Sequence, residues 1–335
     1  MKRTGKGALA AALAAVLVTV AACSSQGGKQ EEAPAAGGGG VGKAATPQQT
    51  FAMITHAAPG DTFWDIIRKG AIAASQKDNV DLKYSSDPDS TKQASLIQGA
   101  IDSKVDGIAV TIPNPGALNP AIKKAVDAGI PVVAFNGGFD DYADSGALSY
   151  FGSNESLAGE TGGKRAAESG AKHVLCIPQA QGHVALEARC NGVEKGAKAG
   201  GAKYTKIYVN ELDMPSVRST IAAKLRQDKS VDYVIVLGAQ IALTAIESIK
   251  EAGSSAKLAT FDSNPQIIEP IKSGAVQFLI DQQPYLQGYL AIDQLWLYNA
   301  NGNVIGGGLP VPTGPALVDK TNIDAFAKFA AGGTR

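Results

Sequence analysis

The sequence predicts an α/β fold with two doubly wound parallel-sheet lobes, joined by a hinge that the chain crosses several times. Short apolar runs alternate strictly with segments of helical spacing. This alternation is typical of parallel sheets that carry helices on both faces. This alternation is interrupted at residues 139–146, which show no clear period, and then resumes over a similar length. The two sets of elements therefore predict two lobes.

The first lobe is predicted from five apolar runs that end in turn residues. The segment Thr62–Lys77 has helical spacing, because Trp64, Ile67 and Ala71 fall on one face. Helices are also expected around residues 94–105 and over 117–128. The predicted strands are Phe51–Thr55, Val80–Tyr84, Gly107–Ile112, Ile130–Phe135 and Ala147–Phe151.

The second lobe is predicted from the same alternation, beginning with a helix. The predicted helices are Glu155–Glu168, Val184–Ala199, Pro215–Arg226 and Gln240–Glu251. The predicted strands are His173–Ile177, Tyr204–Val209, Asp232–Leu237, Leu258–Phe261 and Val276–Ile280. A helix at Leu286–Tyr298, a strand at Ala316–Val318 and a helix at Ile323–Ala330 follow. We expect residues 49–153 with 283–308 to form one lobe and 154–282 with 309–335 the other.

The composition indicates an ordinary globular protein of two domains. The chain has 335 residues, of which 44% are hydrophobic and 19% charged, and its formal net charge is zero. No basic patch stands out, so a nucleic-acid partner is not expected. No glycine-rich phosphate loop opens a helix, so no nucleotide cofactor is expected either. We expect a monomer.

The N-terminus has the pattern of an export signal. Residues 1–22 combine early cations with an apolar stretch that ends in small residues before Cys23. This pattern predicts a lipoprotein signal peptide with lipid attached to Cys23, and hence contact with the membrane through that anchor only. The alternative is an ordinary secretory signal. Residues 23–48 lack hydrophobic periodicity and are predicted to be a flexible tether.

The remaining cysteines and the histidines have different expected roles. Cys176 and Cys190 are predicted to pair, because disulfides persist in exported proteins; two buried free thiols are the alternative. His56, His173 and His183 show no metal-ligand spacing. We therefore expect no metal site, and we expect all three histidines at the surface or in loops.

Polar residues follow several strands directly. Asp262 ends one predicted strand and Gln282 follows the next, and ligands of parallel α/β sheets bind beyond the carboxyl ends of the strands. These two residues are predicted to face a small molecule, unless they only cap helices. The further candidates at strand ends and in the following turns are Asp61, Asn114, Asn136, Asp213 and Gln240. Paired acids could serve acid–base catalysis, but no nucleophile or metal motif accompanies them, so no enzyme is predicted.

Several motifs agree in order with one family. Gly60-Asp61-Thr62-Phe63-Trp64 looks like an Asn-x-Phe-Phe segment, and Arg189-Cys190-Asn191-Gly192 like an Arg-x-x-Gly helix start. Thr260-Phe261-Asp262 matches a Gly-Phe-Asp strand end, and Gln282 a glutamine beside the hinge. On these residues the chain, over roughly 49–330, resembles the ribose/galactose-type periplasmic binding proteins of sugar ABC importers, which have the type I fold.

The resemblance implies ligand contacts and also shows departures. It implies that Phe63, Trp64 and Arg189 contact a sugar, although Trp64 also suits the helix core. A family asparagine is replaced by Asp61, the Asp-Arg pair by Asn136-Gly137, and a second arginine falls near Glu187, a further candidate contact. Cationic contacts are thus fewer and acidic ones retained or added.

The resemblance implies an exported, non-enzymatic binding protein. The expected ligand is a monosaccharide or related polyol, the expected partner an ABC importer permease, and the expected location the outer face of the cytoplasmic membrane. The alternatives are another small polar ligand, such as an autoinducer or a nucleoside, or a sensor that presents its ligand to a chemoreceptor or kinase. The lobes are expected to close on the ligand about crossings near Ser153-Asn154, Gln282-Gln283 and Gly307–Val311.

Overall fold

Residues 43–335 are described by the structure, a computed structural model. The predicted signal peptide, the predicted lipidation site at Cys23 and most of the predicted tether lie outside these residues. The end of the tether is nevertheless packed: Ala44 N–H donates to the Lys77 carbonyl oxygen at 2.8 Å, and Trp296 Nε1 donates to Thr46 Oγ1 at 3.0 Å. The folded part therefore begins before residue 48, earlier than predicted.

The first lobe is built on a six-stranded sheet in the order β11-β5-β4-β3-β1-β2, with every strand parallel to its neighbours. Its strands are β1 (Gln49–Thr55), β2 (Val80–Ser86), β3 (Gly107–Val110), β4 (Val132–Phe135), β5 (Tyr150–Gly152) and β11 (Val311–Pro312). Its helices are α1 (Phe63–Asp78), α2 (Ser90–Asp102), α3 (Pro115–Asp127), α4 (Tyr142–Ser145) and α10 (Pro284–Asn301). The order reverses between β1 and β3, which is where such sheets bind ligands.

The second lobe has a six-stranded sheet in the order β12-β10-β9-β8-β6-β7. Its strands are β6 (His173–Ile177), β7 (Lys203–Lys206), β8 (Tyr233–Val236), β9 (Lys257–Phe261), β10 (Phe278–Asp281) and β12 (Ala316–Asp319). Its helices are α5 (Glu155–Glu168), α6 (Val184–Ala199), α7 (Met214–Gln227), α8 (Ala239–Glu251), α9 (Ile268–Ser273) and α11 (Ile323–Ala331). The predicted doubly wound parallel sheet is thus present, and one edge strand, β12, runs antiparallel to β10.

Within residues 43–335, the chain passes between the two sheets three times. The first two passages, at 153–154 and 282–283, lie at the predicted residues. The third follows Val311–Pro312, because this short strand pairs with β5 in the first sheet, whereas residues 316–319 pair with β10 in the second. The crossing is therefore at 313–315, and the prediction of Gly307–Val311 is wrong.

Each sheet is covered on both faces, as expected for strands that read as continuous apolar runs. In the first lobe, one face packs on α2 and α3 around Ile108 and Leu118, and the other on α1 and α10 around Phe51 and Ile67. The second lobe repeats this arrangement with two further apolar clusters. None of the described helices is long and apolar enough to cross a membrane.

Helices α5 and α6 approach each other more closely than side chains would allow. A Cβ atom added at Gly192 would lie 2.2 Å from the Ser156 carbonyl oxygen and 2.7 Å from the Glu160 amide nitrogen. Both neighbours are backbone atoms of α5 and cannot rotate away. Glycine at this position is therefore required by the distance between the helix axes.

We expect Gly192→Ala to lower the free energy of unfolding by about 2–3 kcal/mol, since overpacking at a fixed backbone contact forces the helices apart. The matched control is Gly99→Ala in α2, where an added Cβ meets no atom within 4 Å. This control should raise stability by up to about 1 kcal/mol, because alanine is the better helix former. Urea unfolding of both variants measures these two changes in the free energy of unfolding. Equal effects would contradict the explanation that α5 and α6 lie too close for a side chain at residue 192.

Candidate functional site

The carboxyl ends of the strands in both sheets face one cleft between the lobes. An inner cavity of about 40 Å³ lies there, and a second of about 30 Å³ adjoins it. Both are far smaller than the ~300 Å³ or more of typical small-molecule pockets. The lobes are thus closed on each other, and they must part to admit a ligand.

The inner cavity brings together seven of the eleven predicted ligand contacts. These are Asp61, Phe63, Trp64, Asn136, Arg189, Asp262 and Gln282. Gln240 lines only the adjoining cavity, with an exposed side chain. Asn114 lines a wider outer part of the cleft, about 540 Å³, where its Oδ1 caps α3 by accepting from Ala117 N–H at 3.3 Å.

Two predicted contacts lie away from the cleft cavities. Glu187 accepts hydrogen bonds from Lys206 Nζ at 2.8 Å and from Tyr208 Oη at 3.0 Å. Asp213 is exposed and caps α7, where its Oδ1 accepts from Ser216 N–H at 3.1 Å. The structure does not bring either residue to the other candidates, so their carboxylates have local structural partners instead.

Arg189 is the buried centre of the second-lobe wall, with 4% of its surface exposed. Its Nε donates to Glu155 Oε2 at 2.5 Å and its Nη2 to Glu155 Oε1 at 3.1 Å, a bidentate pair. Its Nη1 donates to the Leu237 carbonyl oxygen at 3.3 Å and lies 3.6 Å from Asp262 Oδ2. Burial alone would lower the pKa of the guanidinium, but the two carboxylates outweigh burial and raise it. Arg189 therefore stays charged and fixes both acids.

Asp262 is placed by an unusual backbone. It has φ = 63°, and Asn136 in the other lobe has φ = 61°; asparagine and aspartate tolerate this left-handed region best after glycine. Each conformation ends a strand abruptly and leaves a polar side chain at the cleft. Gln282 Nε2 donates to Asp262 Oδ1. Burial raises the pKa of Asp262 to about 7, against the opposing effect of Arg189.

The first-lobe wall is aromatic. Phe63 and Trp64 are 8% and 6% exposed, and their rings meet edge to face at 5.4 Å. Trp64 both lines the inner cavity and packs in the α1 core, so the two roles left open by the sequence coexist. Asp61 Oδ1 accepts from Phe63 N–H at 3.0 Å, and burial raises the pKa of this carboxyl.

Two histidines, expected to be surface or loop residues, meet across the cleft. His183 Nδ1 accepts from Ala185 N–H at 3.2 Å, so its proton is on Nε2 and is donated to His56 Nε2 at 2.8 Å. His56 therefore carries its proton on Nδ1, which donates to Thr111 Oγ1 at 2.7 Å. Both rings are neutral donors in one chain of hydrogen bonds. His56 and His183 lie in loops, as expected, whereas His173 is buried in β6 between Ser230 and Thr205, so the expectation is wrong for His173 alone.

Sequence reasoning also missed Gln179 and Glu211, which line both inner cavities. Gln179 lies two residues beyond the end of β6, so the rule that selected Asp262 could have found it. Glu211 lies in the long loop before α7, where no periodicity marks its direction. Burial, with the nearby Asp61, raises the pKa of Glu211 to about 7.

The crossings are tied to the site by amide hydrogen bonds. Gln287 Nε2 donates to the Gln282 carbonyl oxygen and to Thr313 Oγ1, both at 3.1 Å. Its Oε1 accepts from Asn136 Nδ2 at 3.1 Å. Since Gln282 and Thr313 lie on two different crossings, movement of the hinge is coupled directly to a side chain in the cavity wall.

The predicted disulfide is present. Cys176 in β6 and Cys190 in α6 are bonded, with their Cα atoms 5.9 Å apart. The bond holds α6 against the sheet one residue after Arg189. It therefore restrains the helix that carries the central cation of the site.

Comparisons with known proteins agree with this architecture. Residues 51–303 match the periplasmic binding protein domain family. The xylose/arabinose-binding protein XylF of Sulfolobus acidocaldarius is 26% identical over 262 residues, 71% of this chain; the match spans 62% of that relative's length. Among solved structures, a carbohydrate transporter of Acidothermus cellulolyticus in complex with myo-inositol is 63% identical, with a TM-score of 0.84 over 86% of this chain and 100% of that one. An ABC transporter solute-binding protein of Burkholderia graminis with D-arabinose is 26% identical, with a TM-score of 0.75 over 82% and 96%.

Proposed function

Because the chain belongs to the periplasmic binding protein domain family, we propose that it captures a cyclic polyol or monosaccharide between its lobes and delivers it to an ABC importer. The observation that carries this proposal is the inner cavity, where an aromatic wall of one lobe faces a hydrogen-bonding wall of the other. Sugar and cyclitol rings present apolar C–H faces and a rim of hydroxyls. Such a ligand matches both walls at once.

Myo-inositol is the first ligand to test. The Acidothermus protein, whose structure contains it, is 63% identical to this chain over nearly all of the folded part. Phe63 and Trp64 would cover one ring face, while Asp262, Gln282 and Asn136 would pair with hydroxyls. Each buried hydroxyl left without a partner costs about 1–3 kcal/mol, so this wall would discriminate among epimers.

Delivery to a permease and anchoring through Cys23 belong to the same proposal. The export pattern of residues 1–22 and the tether after Cys23 support a protein held at the outer face of the cytoplasmic membrane. The small cavities between the closed lobes support two shapes of the protein, a closed one that holds the ligand and an open one that admits it. Mass spectrometry of the full-length protein expressed in a bacterium would test the anchor, through the acyl mass on Cys23.

A thermal-shift panel on purified residues 43–335 tests the ligand class. A ligand that binds only the folded state raises the melting temperature by mass action. At a free ligand concentration of 100 times Kd, it adds about 2.7 kcal/mol to the free energy of unfolding. We expect myo-inositol or another cyclic polyol to give the largest shift, with aldoses smaller. A shift confined to nucleosides or to autoinducer-like molecules would replace this proposal with one for that class. Calorimetry then gives the affinity.

We expect affinity to fall in acid because of the His56–His183 pair. Burial first, then nearby Arg189, lowers the pKa of His183 to about 3, and burial also lowers that of His56 well below its usual 6.5. The closed form therefore holds both rings neutral: its stability is complete above pH ~6.5 and declines as pH falls below that value. At pH 5.5, protonation of each ring in the open form should weaken ligand binding by about tenfold.

The carboxyls of Asp262 and Glu211 have the opposite effect on affinity: because burial raises their pKa to about 7, they favour the closed form more as the pH falls. The histidine contribution must therefore be isolated by a variant. His183→Asn keeps a side-chain acceptor for the α6 cap but cannot titrate. Calorimetry with myo-inositol from pH 7.5 to 5 should show a steeper loss in the wild type than in His183→Asn. Parallel curves would contradict the role given to the pair.

A further inference from the structure

The cleft holds more carboxyl groups than a neutral polyol requires. Asp61, Glu211 and Asp262 all line both inner cavities. Arg189 is the only lysine or arginine among the described residues that line these cavities or the outer cleft. Three acids therefore face one cation.

That one cation is already committed. Arg189 is bound in bidentate fashion to Glu155, and Glu155 is itself 3% exposed. Glu155 thus neutralises the charge of Arg189 without any of the three cavity acids, even though Asp262 Oδ2 lies 3.6 Å from Arg189 Nη1. Asp262 is buried, and Asp61 and Glu211 are half-buried. Carboxylates withdrawn from water without a counter-charge are costly, and a ligand that supplies positive charge would remove this cost.

The neutral polar groups of the wall point to the same kind of ligand. Gln282 is 1% exposed, and its Oε1 has no hydrogen-bond donor among the described residues. The same holds for the buried Oε1 of Gln179. Both side chains line the inner cavity. The wall is therefore rich in acceptors and poor in donors, which favours a ligand with many N–H and O–H groups.

A metal ion does not explain these acids. Among the described residues, no group of three or more histidine, cysteine, aspartate or glutamate side chains is arranged to hold one. An organic ammonium needs no such convergent geometry, because each of its N–H groups donates to a separate acceptor.

We propose that the cleft selects a polyol or monosaccharide that carries an ammonium group, and that Glu211 is the residue that recognises this group. Glu211 lines the outer cleft as well as both inner cavities, so a ligand meets it on entry and again when bound. No described donor lies within hydrogen-bond distance of its carboxylate, whereas Asp61 accepts from Phe63 N–H and Asp262 from Gln282. Burial raises the pKa of Glu211 to about 7, and an ammonium partner would lower it again.

This inference rests on the proposed function, and the test uses matched pairs of ligands. Calorimetry at pH 7 compares myo-inositol with a set of inosamines in which one hydroxyl is replaced by an amine at each ring position, and D-glucose with D-glucosamine. We expect the tightest inosamine to bind at least tenfold more tightly than myo-inositol. Binding of the neutral parents with equal or weaker binding of every amine would overturn the amine proposal alone. Failure of every ligand to bind would overturn the proposed function and this inference together.

Two isosteric variants locate the recognition. In Glu211→Gln the ratio of amine to parent affinity should fall to about one, because the charge is lost and the shape is kept. In the control Glu187→Gln, whose carboxylate pairs with Lys206 outside the cleft cavities, the ratio should stay at its wild-type value. A ratio that survives Glu211→Gln would overturn the assignment of this residue.

Discussion

An Asp262→Ala variant is expected to bind myo-inositol at least about 100-fold more weakly than the wild type while remaining folded. Asp262 ends β9 at the inner cavity, accepts from Gln282 and faces Arg189. Truncation removes an acceptor for the ligand and leaves Gln282 and Arg189 each without one partner. Loss of one side of a buried, hydrogen-bonded charge network costs about 2–5 kcal/mol in binding.

Stability should respond differently from affinity. Because burial raises the pKa of Asp262 to about 7, its ionised form lowers the free energy of unfolding of the unliganded closed protein near pH 7. Above pH ~3.8 this carboxyl destabilises the fold, and the effect is largest above pH 7. Alanine at φ = 63° adds backbone strain that offsets the gain from removing this carboxyl, so the melting temperature of Asp262→Ala at pH 7.5 should be close to that of the wild type.

Asp213→Ala is the matched control, since Asp213 was predicted with Asp262 but caps α7 away from the cleft cavities. Its affinity for myo-inositol should be unchanged, and its stability should fall by about 1 kcal/mol through the lost cap. Calorimetry and thermal unfolding of both variants measure these four quantities. An unchanged affinity in Asp262→Ala would remove it from the ligand contacts.

The fold class and the binding-protein family could be predicted because both depend on local patterns. Strand and helix periods gave two α/β lobes, and the rule that ligands lie beyond strand ends selected Asp262 and Gln282. Both face the inner cavity. The same rule selected Asn114 and Asp213, where the side chains cap helices instead. A polar residue between a strand and a helix satisfies either role, and sequence spacing does not separate them.

Helix rotation and long-range pairing account for the other differences. Glu187 and Arg189 are two residues apart on α6, so they point about 200° apart and only one can face the cleft. Val311–Pro312 forms a two-residue strand whose partner, β5, is far away in sequence, and no local pattern marks it. Glu211 lies in a loop without periodicity. Apart from Gln179, which the strand-end rule could have found, the missed features are fixed by tertiary contacts alone.

Replacement of Arg189 by methionine is expected to lower the free energy of unfolding by about 3–5 kcal/mol. Methionine keeps much of the side-chain volume but leaves the Glu155 carboxylate buried without its bidentate partner. An isolated buried charge of this kind is strongly destabilising, whereas an apolar pair of similar volume is often tolerated. The double variant Arg189→Met/Glu155→Met should therefore recover most of the lost stability.

The pH dependence separates charge from packing. Burial already raises the pKa of Glu155 against the opposing effect of Arg189, and removal of the arginine would raise it further. The deficit of Arg189→Met should thus be larger at pH 7 than at pH 4, because Glu155 takes up a proton as the pH falls. Urea unfolding of the wild type, both single variants and the double variant gives the coupling energy at each pH. If neither low pH nor the Glu155→Met substitution restores the lost stability, the loss comes from packing of the guanidinium on the Phe261 ring, 5.0 Å away. That contact does not depend on the charge of Glu155.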